Sequence, residues 1–155
     1  MIIAHNSEVI FKTWCFVPED TYLDCENTQL YTKFKRQGHL ITTPGNVTDY
    51  DYIVNLIHEI NKVCPVQTIY YDAWNSSQCI IQLTEHGFSC SPYSQSIGAY
   101  NKPTKEFERR VISKNVTIDY NECVLWCFQN TTLKSDWNEN TKPVKGASRK
   151  NKIDA

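Results

Sequence analysis

The chain predicts an α/β fold, a sheet with helices on its faces. Short β-rich stretches alternate with helical periodicities along most of the sequence, which is the pattern of that class. The hydrophobic fraction is 41% and aromatics make up 12%, enough for 155 residues to bury a core of their own. No internal repeat and no second domain is visible, so residues 1–155 read as one domain.

The elements follow in order. Glu8 to Val17 holds Val9, Ile10, Phe11, Trp14 and Phe16 and reads as a strand ended by Pro18-Glu19-Asp20. Residues 19–37 are polar and mixed, with a short helix near Thr28 to Lys35. Gly38 opens a short strand, His39 to Thr42, closed by Pro44-Gly45. The strongest helix begins at Thr48, because Thr48 and Asp51 are spaced as in a capping box. Ile53, Leu56, Ile57, Ile60 and Val63 then form one apolar stripe, and Pro65 stops it. Val66 to Tyr71 is apolar and β-branched enough to lie inside a sheet. Asn75 or Ser76 caps a helix through Cys79, Ile80 and Leu83, which Gly87 ends. Phe88 to Tyr93 is a short strand. Pro103, with Glu106 and Glu108 behind it, marks a first turn of a helix that runs to Val111. Val116-Thr117-Ile118 is strand-like. Asn121 caps a helix with Val124, Leu125, Trp126 and Phe128, and Thr131 to Trp137 forms a last strand. Residues 138–151 are polar and basic and read as a mobile loop.

The net charge is −1, which excludes a polycation, so nucleic-acid binding must come from local patches. The strongest patch holds Lys142, Lys145, Arg149, Lys150 and Lys152 with no acid between them. No stretch approaches the roughly 20 apolar residues of a membrane span, and no signal peptide is expected. Seven cysteines are present, an odd number without a Cys-x-x-Cys pair; they read as free thiols in a reducing compartment. Four Asn-x-Ser/Thr sequons, at Asn46, Asn75, Asn115 and Asn130, keep a secreted glycoprotein as a competing hypothesis. No Gly-x-x-x-x-Gly-Lys-Ser/Thr occurs, so ATP hydrolysis is not expected.

Asp72 directly follows the Val66–Tyr71 strand, and in α/β sheets functional residues gather outside the carboxyl ends of strands. A carboxylate there can hold Mg²⁺ or Mn²⁺, hard cations that prefer oxygen. A turn-forming aspartate explains the same residue. Asp154, at the end of the basic run, could share that site. Asp49 and Asp51 are explained as helix-start residues. His5, His39, His58 and His86 form no ligand spacing, and His58 and His86 read as helix-surface residues. Trp74 and Trp126 read as core, and Lys105, Arg109 and Arg110 as exposed helix charges.

Tyr71-Asp72-Ala73-Trp74 with a helix after it resembles the Tyr-Asp-x-Trp motif of the phage terminase large subunit nuclease. Leu40 to Asp51 looks like the segment before that family's capped helix, and Pro103 to Arg109 like its Pro-Thr-Lys-Glu-Leu-Glu-Arg helix. Asn121, Trp126 and Asn130 fit its Asn…Trp…Asn helix. Asn140, Lys142, Pro143, Lys145, Ser148, Lys152, Ile153 and Asp154 fit its ending. The resemblance implies a ribonuclease H-like mixed sheet flanked by helices, incomplete here at both ends. It implies a two-metal endonuclease using Mg²⁺ or Mn²⁺ that cuts concatemeric double-stranded DNA in the host cytoplasm. Asp72 and Asp154 match the second and last metal-binding acids, and Lys142, Lys145, Arg149 and Lys150 would contact phosphate. Its partners would be an ATPase domain, the small terminase subunit and the portal. Met1 to Ser7 contains no acid to match the first metal ligand, so little cutting is expected from this chain. A non-catalytic remnant or split-gene product that binds DNA or packaging proteins is the alternative.

Overall fold

The computed structural model describes residues 1–5, 8–23, 25–74, 77–146 and 152–153. Its first half runs β1 (Ile2–His5), β2 (Glu8–Phe11), β3 (Phe16–Pro18), α1 (Glu19–Leu23), α2 (Thr28–Arg36), β4 (Ile41–Thr43) and α3 (Tyr50–Val63). The second half runs β5 (Ile69–Tyr71), α4 (Ser77–Glu85), β6 (Cys90–Pro92), α5 (Ile97–Ile112), β7 (Val116–Ile118), α6 (Glu122–Gln129), β8 (Thr131–Ser135) and β9 (Thr141–Lys145). The alternation of strands and helices matches the α/β expectation.

Among the described residues the strands form four small sheets in place of one mixed sheet: β1-β2-β7, β3-β4, β5-β6 and β8-β9. β1 meets β2 antiparallel, whereas β2-β7, β3-β4 and β5-β6 are parallel. The strand expected over Glu8–Val17 is divided between two of these sheets. Val9 pairs with Val116, but Phe16 pairs with Ile41. The chain leaves the ladder at residues 12–15 and changes partner, which a run of β-formers does not reveal.

Among the described residues, buried side chains form two separate clusters. The first joins Cys15, Tyr22, Leu40, Tyr31 and Phe34 of α2, and Cys123 of α6, with Trp126 packed against it. Tyr31 and Phe34 lie three apart and so share one helix face. The second joins Val54 of α3 to Cys79 and Leu83 of α4, with Ile57, Ile69 and Phe88 against them. This second core fixes β5, and β5 carries the candidate site. Cys15, Cys79, Cys123 and Cys127 are buried, and all seven cysteines are free of disulfides. Hydrogen bonding with Cys127 and Cys15, together with burial, pushes the Cys123 thiol well up and keeps it protonated.

The helix ends have local causes. Asp49, not Thr48, caps α3: its carboxylate accepts from the Asp51 N–H at 3.0 Å. α3 stops at Cys64, which stands before Pro65 with an extended backbone. Gly87 takes φ +85° after α4, and the Phe88 N–H turns back to the Leu83 carbonyl at 3.0 Å. α5 begins at Ile97, capped by Ser96, so Pro103 sits inside the helix and not in its first turn. A proline there removes the N–H that would bond the Ala99 carbonyl. The Tyr93 hydroxyl replaces it, donating to the Ala99 carbonyl at 2.9 Å.

The segment expected as a loop over residues 138–151 contains β9, paired with β8 from Thr131↔Lys145 to Ser135↔Thr141. Its turn is built by Asp136, whose carboxylate accepts from the N–H groups of Asn138 (3.0 Å) and Asn140 (2.9 Å) and from Asn140 Nδ2 (3.0 Å). The Asn140 amide, above all, holds the Asp136 carboxyl below its usual range. The same polar residues that suggest a loop thus close a hairpin. The hairpin docks on α5: Asn101 Nδ2 donates to Asn140 Oδ1 at 2.9 Å, and Asn101 Oδ1 accepts from the Thr141 N–H at 3.1 Å. Residues 147–151 of the expected loop lie outside the described residues.

Candidate functional site

β5 and β6 run parallel, with Tyr71 opposite Pro92, and both end at the same edge. The Tyr93 N–H donates to the Tyr71 carbonyl at 2.8 Å and carries the pairing past the last rung. Asp72 therefore leaves β5 beside the loop that leaves β6. Its Oδ1 accepts from the Trp74 N–H at 3.1 Å, so Asp72 does form the turn that its position in the sequence allowed. It is also exposed and lines an open cleft of ≈ 690 Å³ with Ala73, Trp74, Pro92, Tyr93, Ser94 and Gln95. The turn and a ligand-binding role are compatible, because a carboxylate carries two oxygens with several acceptor sites.

Lys142 reaches the loop that borders this cleft from the far end of the sequence. Docking of the hairpin on α5 brings β9 to the β6–α5 loop, and the Lys142 ammonium donates to the Gln95 carbonyl. The ammonium also lies 4.9 Å from the centroid of the Tyr100 ring. The Tyr100 hydroxyl donates to Gln95 Oε1 at 3.0 Å, and edge-to-face contacts link Tyr100 to Tyr93 (5.7 Å) and Tyr93 to Tyr70 (6.2 Å). Asp72, Tyr93 and Gln95 thus line the cleft at the carboxyl ends of two parallel strands, and Lys142 and Tyr100 are both bonded to Gln95.

The other expected site residues fall elsewhere. Lys145 stands three positions beyond Lys142 on the same strand, and odd spacing puts it on the opposite face of the hairpin. Asp154, Arg149 and Lys150 lie outside the described residues. The chain on either side of 147–151 is held by Asn130: its carbonyl accepts from the Gly146 N–H at 3.4 Å, and its Nδ2 donates to the Lys152 carbonyl at 3.0 Å. Among the described residues no three His, Cys, Asp or Glu side chains converge as a metal site would require. Asp72 offers the hard oxygen that Mg²⁺ or Mn²⁺ prefers. One carboxylate does not make the ligand set of a metal pair, and the described geometry carries no metal-dependent step.

Two expectations about aromatic and imidazole residues separate here. Trp126 packs as expected, 5.9 Å from the Tyr31 ring and 6.2 Å from the Phe34 ring. Trp74 does not: it is 86% exposed, because the turn begun by Asp72 carries it over the cleft and away from both cores. His58 and His86, which show no ligand spacing in the sequence, meet at 2.6 Å between Nε2 and Nδ1. The packing of α3 on α4 closes that distance, and no local pattern announces it.

The fold and site define an α/β domain whose candidate chemistry sits at the carboxyl ends of parallel strands, where such sheets bind ligands. The chain belongs to the terminase large subunit, endonuclease domain family, whose model matches residues 1–155. Protein YmfN of Escherichia coli (strain K12) is 28% identical over 159 residues, covering 97% of this chain and 34% of that protein. The crystal structure of the HK97 bacteriophage large terminase matches with a TM-score of 0.77 at 22% identity, over 90% of this chain and 30% of that one. The second match shows a shared fold. The chain spans about a third of the length of either relative. Among the described residues no helix is long and apolar enough to cross a membrane.

Proposed function

We propose that this chain is part of the metal-dependent endonuclease domain of a phage DNA-packaging terminase large subunit. In the whole protein that domain cuts concatemeric double-stranded DNA in the host cytoplasm. Family membership along the full chain supports the class. The observation that carries the site is the meeting of Asp72 and the Lys142-bound loop at one cleft. In this reading the fold is ribonuclease H-like, and Asp72 and Asp154 are metal ligands for Mg²⁺ or Mn²⁺. The described part of the site supplies one of the carboxylates that two ions need.

Lys142 is proposed to hold a phosphate of the DNA strand beside Asp72, with Lys145, Arg149 and Lys150 adding contacts along the backbone. Phosphate contacts position a duplex without reading its sequence, so binding is sequence-tolerant and salt-sensitive. The ATPase domain, the small terminase subunit and the portal are the partners this reading implies. A second reading, DNA or partner binding without cleavage, draws on the single carboxylate that the described residues bring to the cleft.

The test uses the intact large subunit that contains this chain, incubated with supercoiled plasmid. Cutting should require Mn²⁺ or Mg²⁺ and stop on chelation. Cutting that persists in chelator overturns the metal-dependent reading. Binding without cutting in either metal transfers the conclusion to the second one.

A further inference from the structure

We propose that His58 and His86 form a binding site for a borderline divalent transition metal, Zn²⁺ or Ni²⁺, where α3 meets the end of α4. His58 Nε2 and His86 Nδ1 stand 2.6 Å apart, with ring centroids at 4.8 Å and planes tilted by 49°. The rings therefore aim nitrogen at nitrogen and do not stack face to face. Metal–imidazole bonds of about 2.0–2.1 Å place two neighbouring ligand nitrogens about 3 Å apart. A small outward rotation of the two rings admits an ion between them. Without an ion, one ring must present N–H and the other a lone pair; with one, both lone pairs coordinate.

The two rings are held in place by the second core. His58 lies one helical turn beyond the buried Val54, and its ring packs edge-on against Phe88 at 5.1 Å. The backbone N–H of His86 donates to the Gln82 carbonyl at 3.0 Å, and the Gly87 turn fixes the chain immediately after it. His86 is exposed and His58 half-buried, so water can complete the coordination sphere.

Neutral imidazoles select Zn²⁺ or Ni²⁺ over Mg²⁺ and Mn²⁺, the reverse of what a carboxylate such as Asp72 prefers. Among the described residues no third ligand joins the pair. The ion is therefore exchangeable, and it acts as a clasp between α3 and α4. Because it binds the folded arrangement, it raises the melting temperature, and above its Kd the rise grows with the logarithm of the free metal concentration.

Titration of the protein with NiCl₂, followed by calorimetry and thermal unfolding, tests the proposal. His58→Gln and His86→Gln each keep all seven cysteines, so any thiol binding is common to every sample. One nickel ion should bind the parent protein and raise its Tm. Each variant should lose about tenfold or more in affinity, together with the Tm rise. Unchanged binding in the double variant overturns the site. Should a variant fail to fold, paramagnetic broadening of imidazole signals in the parent protein decides. Nickel should broaden His58 and His86 before His5 and His39, and broadening that spares the pair overturns the site as well.

Discussion

Replacing Tyr93 with phenylalanine removes one oxygen atom and should weaken α5 at its middle. Pro103 has no N–H to offer, so the Ala99 carbonyl depends on the Tyr93 hydroxyl at 2.9 Å. The net value of such a bond is about 1 kcal/mol, and a buried carbonyl left without a donor costs about 1–3 kcal/mol. This bond is only partly buried, so water offsets some of the loss. The expected cost is about 1 kcal/mol, or about 2–4 °C in Tm for a domain of this size. Urea unfolding of a double-mutant cycle isolates the effect. Pro103→Ala returns a backbone donor to the Ala99 carbonyl, so in that background Tyr93→Phe should cost close to nothing. An equal cost in both backgrounds would refute the reasoning and assign the value of Tyr93 to its ring contacts with Tyr70 and Tyr100.

Leu83 is 1% exposed at the centre of the second core, so Leu83→Ala should destabilise by about 2–5 kcal/mol in urea unfolding. A loss below about 1 kcal/mol would mean that α3 and α4 do not depend on that core. Hydrogen bonding from Arg109, then from Arg110, holds the Glu106 carboxyl down at about 2. A carboxyl lowered on folding stabilises the protein above its unfolded value of 4.5, and that contribution disappears as pH falls from there through about 2. Glu106→Gln should flatten the Tm profile in that window, and an identical profile would remove the clamp from the account. Lys142→Ala with Lys145→Ala should flatten the salt dependence of duplex binding by about 1.8 in log–log slope, about 0.9 per phosphate contact. No change in slope would place the DNA elsewhere.

Elements specified by neighbours in sequence were legible before the structure. The Asn121 cap and the Gly87 stop each rest on spacings of a few residues and appear where expected, whereas the Ile53–Val63 stripe holds only in part: Ile53 and Ile57 pack on the core around Val54, and Val63 is 88% exposed. Asp72 at the end of β5 follows from the same local logic. What was not legible depends on distant partners. The change of sheet between β2 and β3 is decided by Val116 and Ile41, far from the run itself. Pro103 inside α5 is tolerated because Tyr93 supplies the missing donor from outside the helix. The β8–β9 hairpin closes around a turn whose Asp and Asn residues also suit a loop. Trp74 looks like core by residue type, but the Asp72 turn exposes it. The encounter of His58 with His86 exists only once α3 lies on α4.

The central claim is that the cleft at Asp72 is the cutting site, and Asp72→Asn in the intact large subunit tests it most directly. The substitution keeps one oxygen to accept the Trp74 N–H, removes the charge and turns the other oxygen into an NH₂ that cannot ligate a hard cation. Single-turnover cleavage of plasmid in Mn²⁺ should fall by about a hundredfold or more, a change of about 2.7 kcal/mol in the barrier. Affinity for the same DNA in the absence of metal should stay within about twofold. Cleavage at the parent rate, with DNA affinity equally unchanged, would contradict the account and move the active site away from Asp72.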